Sequence, residues 1–178
     1  MGEDRAAFAR VVREHGPAVH AYIARRSGRQ LADDLSAEVW LRAWRSRHTY
    51  QATWPGPRPW LYGIARNTLR AHWRLRADRP CPPLELTADP WPTINDRLDA
   101  ERLRPALEAA LKTLGDDNRE ILLLVAWEQL TPGEIAISLG LPPSTVRSRL
   151  HRARSQLQNR LDAQLATETT TYCPEARL

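Results

Sequence analysis

Two segments of the chain carry arginine without any neighbouring carboxylate, and these residues are the best suited to bind another molecule. No Asp or Glu occurs between Ile135 and Leu161, or between Leu61 and Ala77. A guanidinium group pairs with phosphate oxygens or with the edge of guanine. The net charge of +5 also favours a polyanionic partner. Arginines that merely face solvent are usually interspersed with acids, so we interpret the segments as two nucleic-acid-binding faces.

The residues that could support catalysis or hold a metal are poorly placed. Asp33 and Asp34 are adjacent, and neighbouring helical side chains point about 100° apart, which makes a poor metal site. Cys81 and Cys173 match no metal or redox spacing and are predicted to be free thiols. The chain has five scattered histidines and no Gly-rich phosphate loop. We therefore expect no metal and no cofactor, and an enzyme acting on nucleic acid is disfavoured.

Apolar residues recur at helical spacing nearly everywhere, and no alternating strand pattern is present, which predicts an all-α fold. The pattern breaks at "DRPCPPLELTADPWPTIND", because proline removes a backbone donor and disfavours helix in the residue before it. We predict two small helical domains, residues 1–77 and 97–165, with a Pro-rich flexible linker over 78–96 and a flexible tail over 166–178.

The sequence predicts a cytoplasmic protein with no membrane segment of its own. No apolar run approaches the ~20 residues that cross a bilayer. The N-terminus "MGEDRAAFARVV" has an acidic pair where a signal peptide would have basic residues.

The stretch "TPGEIAISLGLPPSTVRSRLHRAR" predicts a helix-turn-helix. Thr131 and Glu134 form a capping box at the first helix, and Gly140 ends that helix in a left-handed conformation. Pro142 occupies the expected cap position, and the second helix is predicted from Ser144 to about Leu161. Its buried stripe is Val146, Leu150, Ala153 and Leu157, and its outer face carries Ser144, Arg147, Ser148, His151 and Arg152. Such a face fits the major groove of DNA; the alternative is a helical hairpin with a solvated face.

The segment "WLYGIARNTLRAHWRLR" predicts a second basic helix. One side is predicted to carry Leu61, Ile64, Thr68 and Leu75, and the other Arg66, Asn67, Arg70 and Arg74. An aromatic, Pro-rich loop that contains Trp54 precedes this helix, which begins at Trp60. Arginines beside aromatic rings suit single-stranded DNA, whose bases stack on the rings. The alternative is that Trp60 and Trp73 belong to the core.

A third helix, "LADDLSAEVWLRAWRSR", has an apolar side and a face of mixed charge. Its apolar side is Leu35, Val39, Trp40 and Ala43. On the other side Leu41 lies among charged residues, namely Asp34, Glu38, Arg42 and Arg45. A docking protein would explain a leucine in these surroundings, and the mixed charge makes DNA a less obvious target.

The segments "ADDLSAEVWLRAW", "RPWLYGIARNTLRAHWR" and "GDDNREILLLVAWEQLTPGEIAISLGLPPSTVRSRLHRAR" resemble those of extracytoplasmic-function sigma factors, the smallest sigma subunits of bacterial RNA polymerase. Their order and spacing agree over most of residues 8–161. The resemblance implies that the N-terminal domain (sigma region 2) opens and reads the −10 promoter element, and that the C-terminal domain (region 4) reads the −35 element as duplex.

The resemblance also implies roles for particular residues. The −35 contacts would be Ser144, Arg147, Ser148, His151 and Arg152. The −10 contacts would be Trp60, Arg66, Asn67, Arg70 and Arg74, with the loop 50–58 as a pocket for a flipped base. The polymerase contacts would be Asp34, Glu38, Leu41, Arg42 and Arg45. The implied partners are promoter DNA and core RNA polymerase, through its β′ clamp helices and β flap.

The sequence leaves two alternatives open. A free-standing helix-turn-helix regulator would match the C-terminal half, although it would not explain the second basic helix or the mixed-charge face. For the unassembled protein, the two domains either close on each other or are clamped by an anti-sigma factor.

Overall fold

The computed structural model describes the backbone of residues 2–75 and 94–171 and the side chains of residues 4–75 and 104–163. Over these ranges the chain forms helices and no strand, which confirms the all-α prediction. The helices are α1 (Gly2–Ser27), α2 (Arg29–Arg45), α3 (Arg58–Arg74), α4 (Ile94–Thr113), α5 (Asp116–Ala126), α6 (Pro132–Leu139) and α7 (Pro143–Thr171). A 3₁₀ turn at Arg47–Thr49 follows α2.

Helices α1, α2 and α3 pack together as the N-terminal half. Each contributes a fully buried side chain to the core, namely Ile23, Val39 and Leu61. Gly28 separates α1 from α2 and has a φ of 77°, a left-handed conformation that glycine adopts without steric penalty. This single residue lets α2 begin directly after α1 ends.

Helices α6 and α7 form the predicted helix-turn-helix. The Thr131 hydroxyl accepts from the Glu134 amide, and the Glu134 carboxylate accepts from the Thr131 amide at 2.8 Å, which confirms the capping box. Gly140 ends α6 with a φ of 62°, as predicted. The Pro142 carbonyl accepts from the Val146 amide at the start of α7. Val146 and Ala153 are fully buried, so the predicted stripe faces the core.

Two predictions about helix ends are wrong. Leu75, expected on the apolar side of the helix, is 89% exposed, because α3 ends at Arg74 and Leu75 lies beyond the helix as its C-cap residue. Helix α7 does not stop near Leu161 but continues to Thr171, into the predicted flexible tail. The sequence "AQLA" that follows Asp162 consists of good helix formers, which favours this continuation. Most of the predicted linker, together with Cys81 and Cys173, lies outside the described residues.

The two halves pack against each other and share one buried apolar cluster. Leu61 and Ala65 of α3 lie in the same cluster as Ile135 of α6. The Ser138 hydroxyl of α6 donates to the Pro59 carbonyl of α3 at 2.7 Å. A Cβ atom at Gly63 would lie 2.8 Å from the backbone oxygen of Ser138, so the close approach of α6 to α3 requires a glycine there. We call this packed arrangement the closed form.

Replacing Thr131 by Ala should destabilise the protein by about 1 kcal/mol, because the α6 amides lose their side-chain acceptor. Urea unfolding followed by circular dichroism measures this loss. Thr131→Ser keeps the hydroxyl and is the matched control. An equal loss in both variants would show that the methyl group of Thr131, rather than the cap, is what matters.

Candidate nucleic-acid interface

The predicted duplex-binding residues of α7 form one exposed face. Ser144, Arg147, Ser148, His151 and Arg152 are all exposed, opposite the buried stripe of the same helix. Arg152 Nε donates to the backbone oxygen of Ser148, one turn earlier on the same helix, at 3.4 Å. The face can present guanidinium, hydroxyl and imidazole groups to the edges and phosphates of a duplex. The role of each residue stays a prediction.

The predicted −10 residues of α3 are not equally accessible. Asn67, Arg70 and Arg74 are exposed, whereas the Arg66 side chain is only 16% exposed. Arg66 Nη2 donates to a carboxylate oxygen of Asp117, on α5 of the other half, at 2.6 Å. Arg66, predicted to share one side of α3 with Asn67, Arg70 and Arg74, is thus covered in the closed form, because a distant helix supplies the carboxylate that its own segment lacks.

Trp60 belongs to an aromatic cleft of the N-terminal half. Its ring lies 5.8 Å from that of Tyr50, which also contacts Trp54, and its Nε1 donates to the Thr49 hydroxyl at 3.1 Å. A cleft of about 530 Å³ is lined by Asp4, Ala7, Phe8, Val11, Arg47, His48, Tyr50, Pro57 and Trp60. Half-buried aromatic rings beside the exposed Arg47 and His48 suit a flat base with its phosphate. Trp60 is half-buried, so it lies between the two alternatives of core and contact surface.

The mixed-charge face of α2 is present as predicted. Leu41 is 48% exposed, and Asp34 and Arg45 are exposed near it. Arg42 donates to the Glu38 carboxylate at 2.5 Å, an ion pair one helical turn long. The pair holds two charged side chains beside an apolar one, an arrangement typical of a protein-binding surface.

Arg58 does not line the aromatic cleft. Its guanidinium donates to the backbone oxygen of Glu128, between α5 and α6, at 2.6 Å, and lies over the Tyr62 ring. This end of the predicted base-binding loop therefore contacts the C-terminal half.

The Glu128 side chain, only 3% exposed, is the centre of a buried cluster between the halves. It accepts a hydrogen bond from the Tyr62 hydroxyl at 2.7 Å and forms an ion pair with Arg25 of α1. The next residue, Gln129, has a left-handed backbone with a φ of 52°, and both of its neighbours are buried. Burying a carboxylate is unfavourable unless such partners surround it.

A second cluster surrounds Glu120 of α5. The carboxylate accepts from the Tyr22 hydroxyl at 2.6 Å and from Arg26 Nε at 3.2 Å. The Arg26 guanidinium also lies 3.8 Å from the centre of the Tyr22 ring. Both Tyr22 and Arg26 belong to α1, so this cluster ties α5 to the first helix of the chain.

The two tyrosines titrate abnormally because of these clusters. Burial, with the neighbouring Glu128 charge, raises the pKa of Tyr62 to about 12. Burial, followed by the Glu120 charge, also raises the pKa of Tyr22 well above its usual value. In both cases the low dielectric and the nearby carboxylate disfavour the phenolate.

The carboxylates that join the two halves are not identified by any pattern in the sequence. The segment "DDNREILLLVAWEQL" has the apolar pattern of a packing helix, although it supplies Asp117, Glu120 and Glu128. A Glu embedded in an apolar run is a signal of a buried partner, but the run itself does not identify that partner. Within the described ranges, no group of His, Cys, Asp and Glu is arranged to hold a metal, and no helix is long and apolar enough to span a membrane.

Comparison with known proteins gives matches in both halves. The family model for sigma-70 region 2 matches residues 11–79, and that for sigma-70 region 4 matches residues 104–157. The ECF RNA polymerase sigma factor SigE of Mycolicibacterium smegmatis is 34% identical over 172 residues, covering 89% of this chain and 63% of that protein. RNA polymerase sigma factor CarQ of Myxococcus xanthus is 35% identical, covering 87% of this chain and 89% of CarQ. The chain thus spans less than two thirds of SigE but most of CarQ.

Solved structures show the same fold. CnrH, in complex with the cytosolic domain of CnrY, aligns with a TM-score of 0.60 at 26% identity, over 89% of this chain and 90% of CnrH. The sigma factor RpoE of Bartonella quintana, bound to the anti-sigma factor NepR, aligns with a TM-score of 0.65 at 22% identity, over 88% of this chain and 97% of RpoE.

Stability should fall as the pH rises from about 10 to about 12, because the Tyr62 pKa of about 12 in the folded state exceeds its unfolded value near 10. The neutral phenol stabilises the folded state fully below pH 10, and this contribution, on the order of 3 kcal/mol, is lost through that window. Urea midpoints measured from pH 8 to 12 test the effect. Tyr62→Phe removes the titrating group, so its midpoints should decline less steeply, and an unchanged slope would assign the loss to other groups.

Proposed function

Because this chain belongs to the extracytoplasmic-function group of the sigma-70 family, we propose that it is a promoter-specificity subunit of RNA polymerase. It binds core polymerase and directs initiation at promoters with particular −10 and −35 elements. The observation that most supports this is the presence of two separate basic helical faces, one in each half, together with a third face suited to protein binding. A single-site regulator would need only the α7 face.

The α7 face reads the −35 element as duplex. Arg147 and Arg152 are exposed on the outer side of the second helix of a helix-turn-helix, the position from which side chains enter the major groove. An arginine there can make two hydrogen bonds to guanine, and Ser144, Ser148 and His151 can bind phosphates or other base edges.

The α3 face and the aromatic cleft read the −10 element as a single strand. Asn67, Arg70 and Arg74 lie on successive exposed turns of α3. Arg66 becomes available to DNA on the same helix once its hydrogen bond to Asp117 is broken. Trp60 lies at the start of the same helix, in the cleft that can take an unstacked base. Guanidinium groups for the backbone and rings for the bases are what a melted strand requires.

The α2 face binds core polymerase at the β′ clamp helices. Leu41 supplies the apolar contact, with Asp34, Glu38, Arg42 and Arg45 around it. Residues 1–77 then form the unit that docks and melts, residues 97–165 the unit that binds the −35 element and the β flap, and residues 78–96 the connection between them. The catalytic metals belong to the polymerase, so the chain performs no covalent step and acts in the cytoplasm with that enzyme.

A protein partner of the unassembled chain is part of this proposal. The related CnrH was solved with the cytosolic domain of a second protein, CnrY. An anti-sigma factor that covers the α2 face or the α3 face would keep this chain from polymerase.

Run-off transcription with purified core polymerase and genomic fragments tests the function. We expect initiation at discrete sites only when the chain is added. Duplex binding without any polymerase association would instead favour a free-standing helix-turn-helix regulator.

Leu41→Arg should weaken binding to core polymerase at least about tenfold, because a half-buried apolar contact in a protein interface is replaced by a charge. Fluorescence anisotropy with labelled chain measures the affinity. Leu75→Arg is the matched control, since Leu75 is the other large apolar side chain exposed among the described residues. Equal weakening by both substitutions would mean that added charge, rather than the α2 face, is responsible.

Arg147→Ala and Arg152→Ala should each weaken specific promoter binding by about 1–3 kcal/mol if the contact reads a base. Footprinting or gel shift of the assembled polymerase with promoter DNA provides the measurement. Arg160→Ala removes the same charge from the same helix, two or more turns beyond the predicted face, and should change binding little. Wild-type affinity in the first two variants would remove both residues from the site.

A further inference from the structure

One carboxylate in the closed form lies between three arginines drawn from both halves. Asp117 Oδ1 is 2.6 Å from Arg66 Nη2 and 3.7 Å from Arg70 Nη1, and its Oδ2 is 3.4 Å from Arg149 Nη1. Arg66 and Arg70 belong to α3, whereas Asp117 and Arg149 belong to α5 and α7. A carboxylate that uses both oxygens to bind guanidinium groups presents the same acceptors as a DNA phosphate.

The arginines that bind Asp117 include two of those assigned to the −10 strand. A guanidinium already paired with a carboxylate must exchange that partner before it binds phosphate. A single strand that approaches α3 in the closed form therefore competes with α5.

The closed form is also too compact for the two promoter elements. Elements centred at positions −10 and −35 lie about 25 base pairs apart. This separation is about 85 Å along a duplex with 3.4 Å per base pair. In the closed form, Arg66 of α3 and Arg149 of α7 both lie within 3.4 Å of one side chain. Helices that meet at a single carboxylate cannot occupy both elements, whereas the 18 residues from 76 to 93 could span about 60 Å when extended.

Several contacts hold the halves in this arrangement. The Glu128 and Glu120 clusters join α5 and its following loop to α1 and α3. The Ser138 hydroxyl is bonded to the Pro59 carbonyl, and the Ser138 carbonyl lies against Gly63. These contacts are more buried than Asp117, whose side chain is 46% exposed. The interface thus has a firmly packed interior and an accessible acidic edge.

Given the function proposed above, we propose that the closed form is an autoinhibited state in which Asp117 of α5 occupies the −10-reading face of α3 in place of DNA phosphate. The Glu120 and Glu128 clusters and the Gly63 contact keep it closed. Opening removes Asp117 from Arg66 and Arg70 and lets the two halves reach separate elements. If DNA binds only the open form, its apparent affinity is the intrinsic affinity multiplied by the fraction of molecules that are open.

The test uses the full chain and a fluorescein-labelled single-stranded oligonucleotide of random sequence, because phosphate contacts are independent of sequence. All variants carry Arg147→Ala and Arg152→Ala, so that binding reports α3 rather than α7. Fluorescence anisotropy gives the affinity, and small-angle X-ray scattering gives the radius of gyration.

Asp117→Asn should tighten oligonucleotide binding several-fold. Asp116→Asn is the matched control, because it neutralises the adjacent residue of the same first helical turn, whose only ion pair among the described residues is with Arg119 of α5. Both substitutions add the same net charge and remove the same favourable interaction with the helix dipole. Equal tightening by both variants would overturn the proposal.

Gly63→Ala opens the interface without changing charge. Its methyl group would meet the Ser138 carbonyl, while alanine favours the α3 helix itself. We expect a larger radius of gyration and oligonucleotide binding tighter by about tenfold or more, since minor open states are typically populated at 0.1–10%. Gly133→Ala is the control, because a Cβ there meets only the Thr131 hydroxyl, at 3.9 Å.

An expanded Gly63→Ala chain that binds the oligonucleotide no better than the control would overturn autoinhibition, as would a wild-type chain that is already expanded. Failure of the proposed function is seen separately. Transcription with core polymerase, on chains that retain Arg147 and Arg152, would then yield no specific product from either the wild type or the Gly63→Ala variant.

Discussion

The relation of the two halves depends on how the Glu128 carboxylate is satisfied. A carboxylate that is 3% exposed is unfavourable unless cations and hydroxyl groups surround it, and here they come from α1 and α3 through Arg25 and Tyr62. Because both partners are on buried or nearly buried positions, the segment after α5 has little freedom to shift. That placement brings α6 against α3, and the Ser138 carbonyl reaches Gly63 as a consequence.

The guanidinium groups of this protein can bind either a carboxylate or a phosphate with the same hydrogen-bond geometry. The planar guanidinium group of Arg66 matches a carboxylate and a phosphate equally well, which a lysine would not do. The exposure of the pairs decides which of them can exchange. The pairs around Glu120 and Glu128 are buried, whereas Arg70 and Asp117 are about half exposed, and ion pairs in water contribute little. Exchange of carboxylate for phosphate is thus favoured at the Asp117 edge of the interface.

Local features of this protein could be predicted from its sequence, and non-local ones could not. The capping box at Thr131, the left-handed Gly140 and the α7 stripe depend on residues a few positions apart, and the structure confirms all three. The two arginine-rich segments lack carboxylates only among their own neighbours along the chain. Asp117 reaches Arg66 from 51 positions away, and no pattern within either segment identifies that pairing. The prediction that Leu75 lies on the apolar side of α3 is wrong for a related reason, since periodicity does not show where a helix ends.

Two costs accompany the closed form, and opening removes only one of them. Gly63 lies inside α3, where glycine costs about 1 kcal/mol relative to alanine, and the close approach of Ser138 is the contact that requires it. Within the described part of the chain, Arg25 Nε is buried without a hydrogen-bond partner, although the same side chain pairs with Glu128. An unsatisfied buried donor costs about 1–3 kcal/mol. Opening lets water reach the Arg25 Nε, whereas the cost of Gly63 persists because the residue remains inside α3 in either form. Only the first of these costs therefore offsets part of the apolar contact and of the Arg25–Glu128 ion pair that opening breaks, and a ligand with differential affinity for the open form shifts the population further.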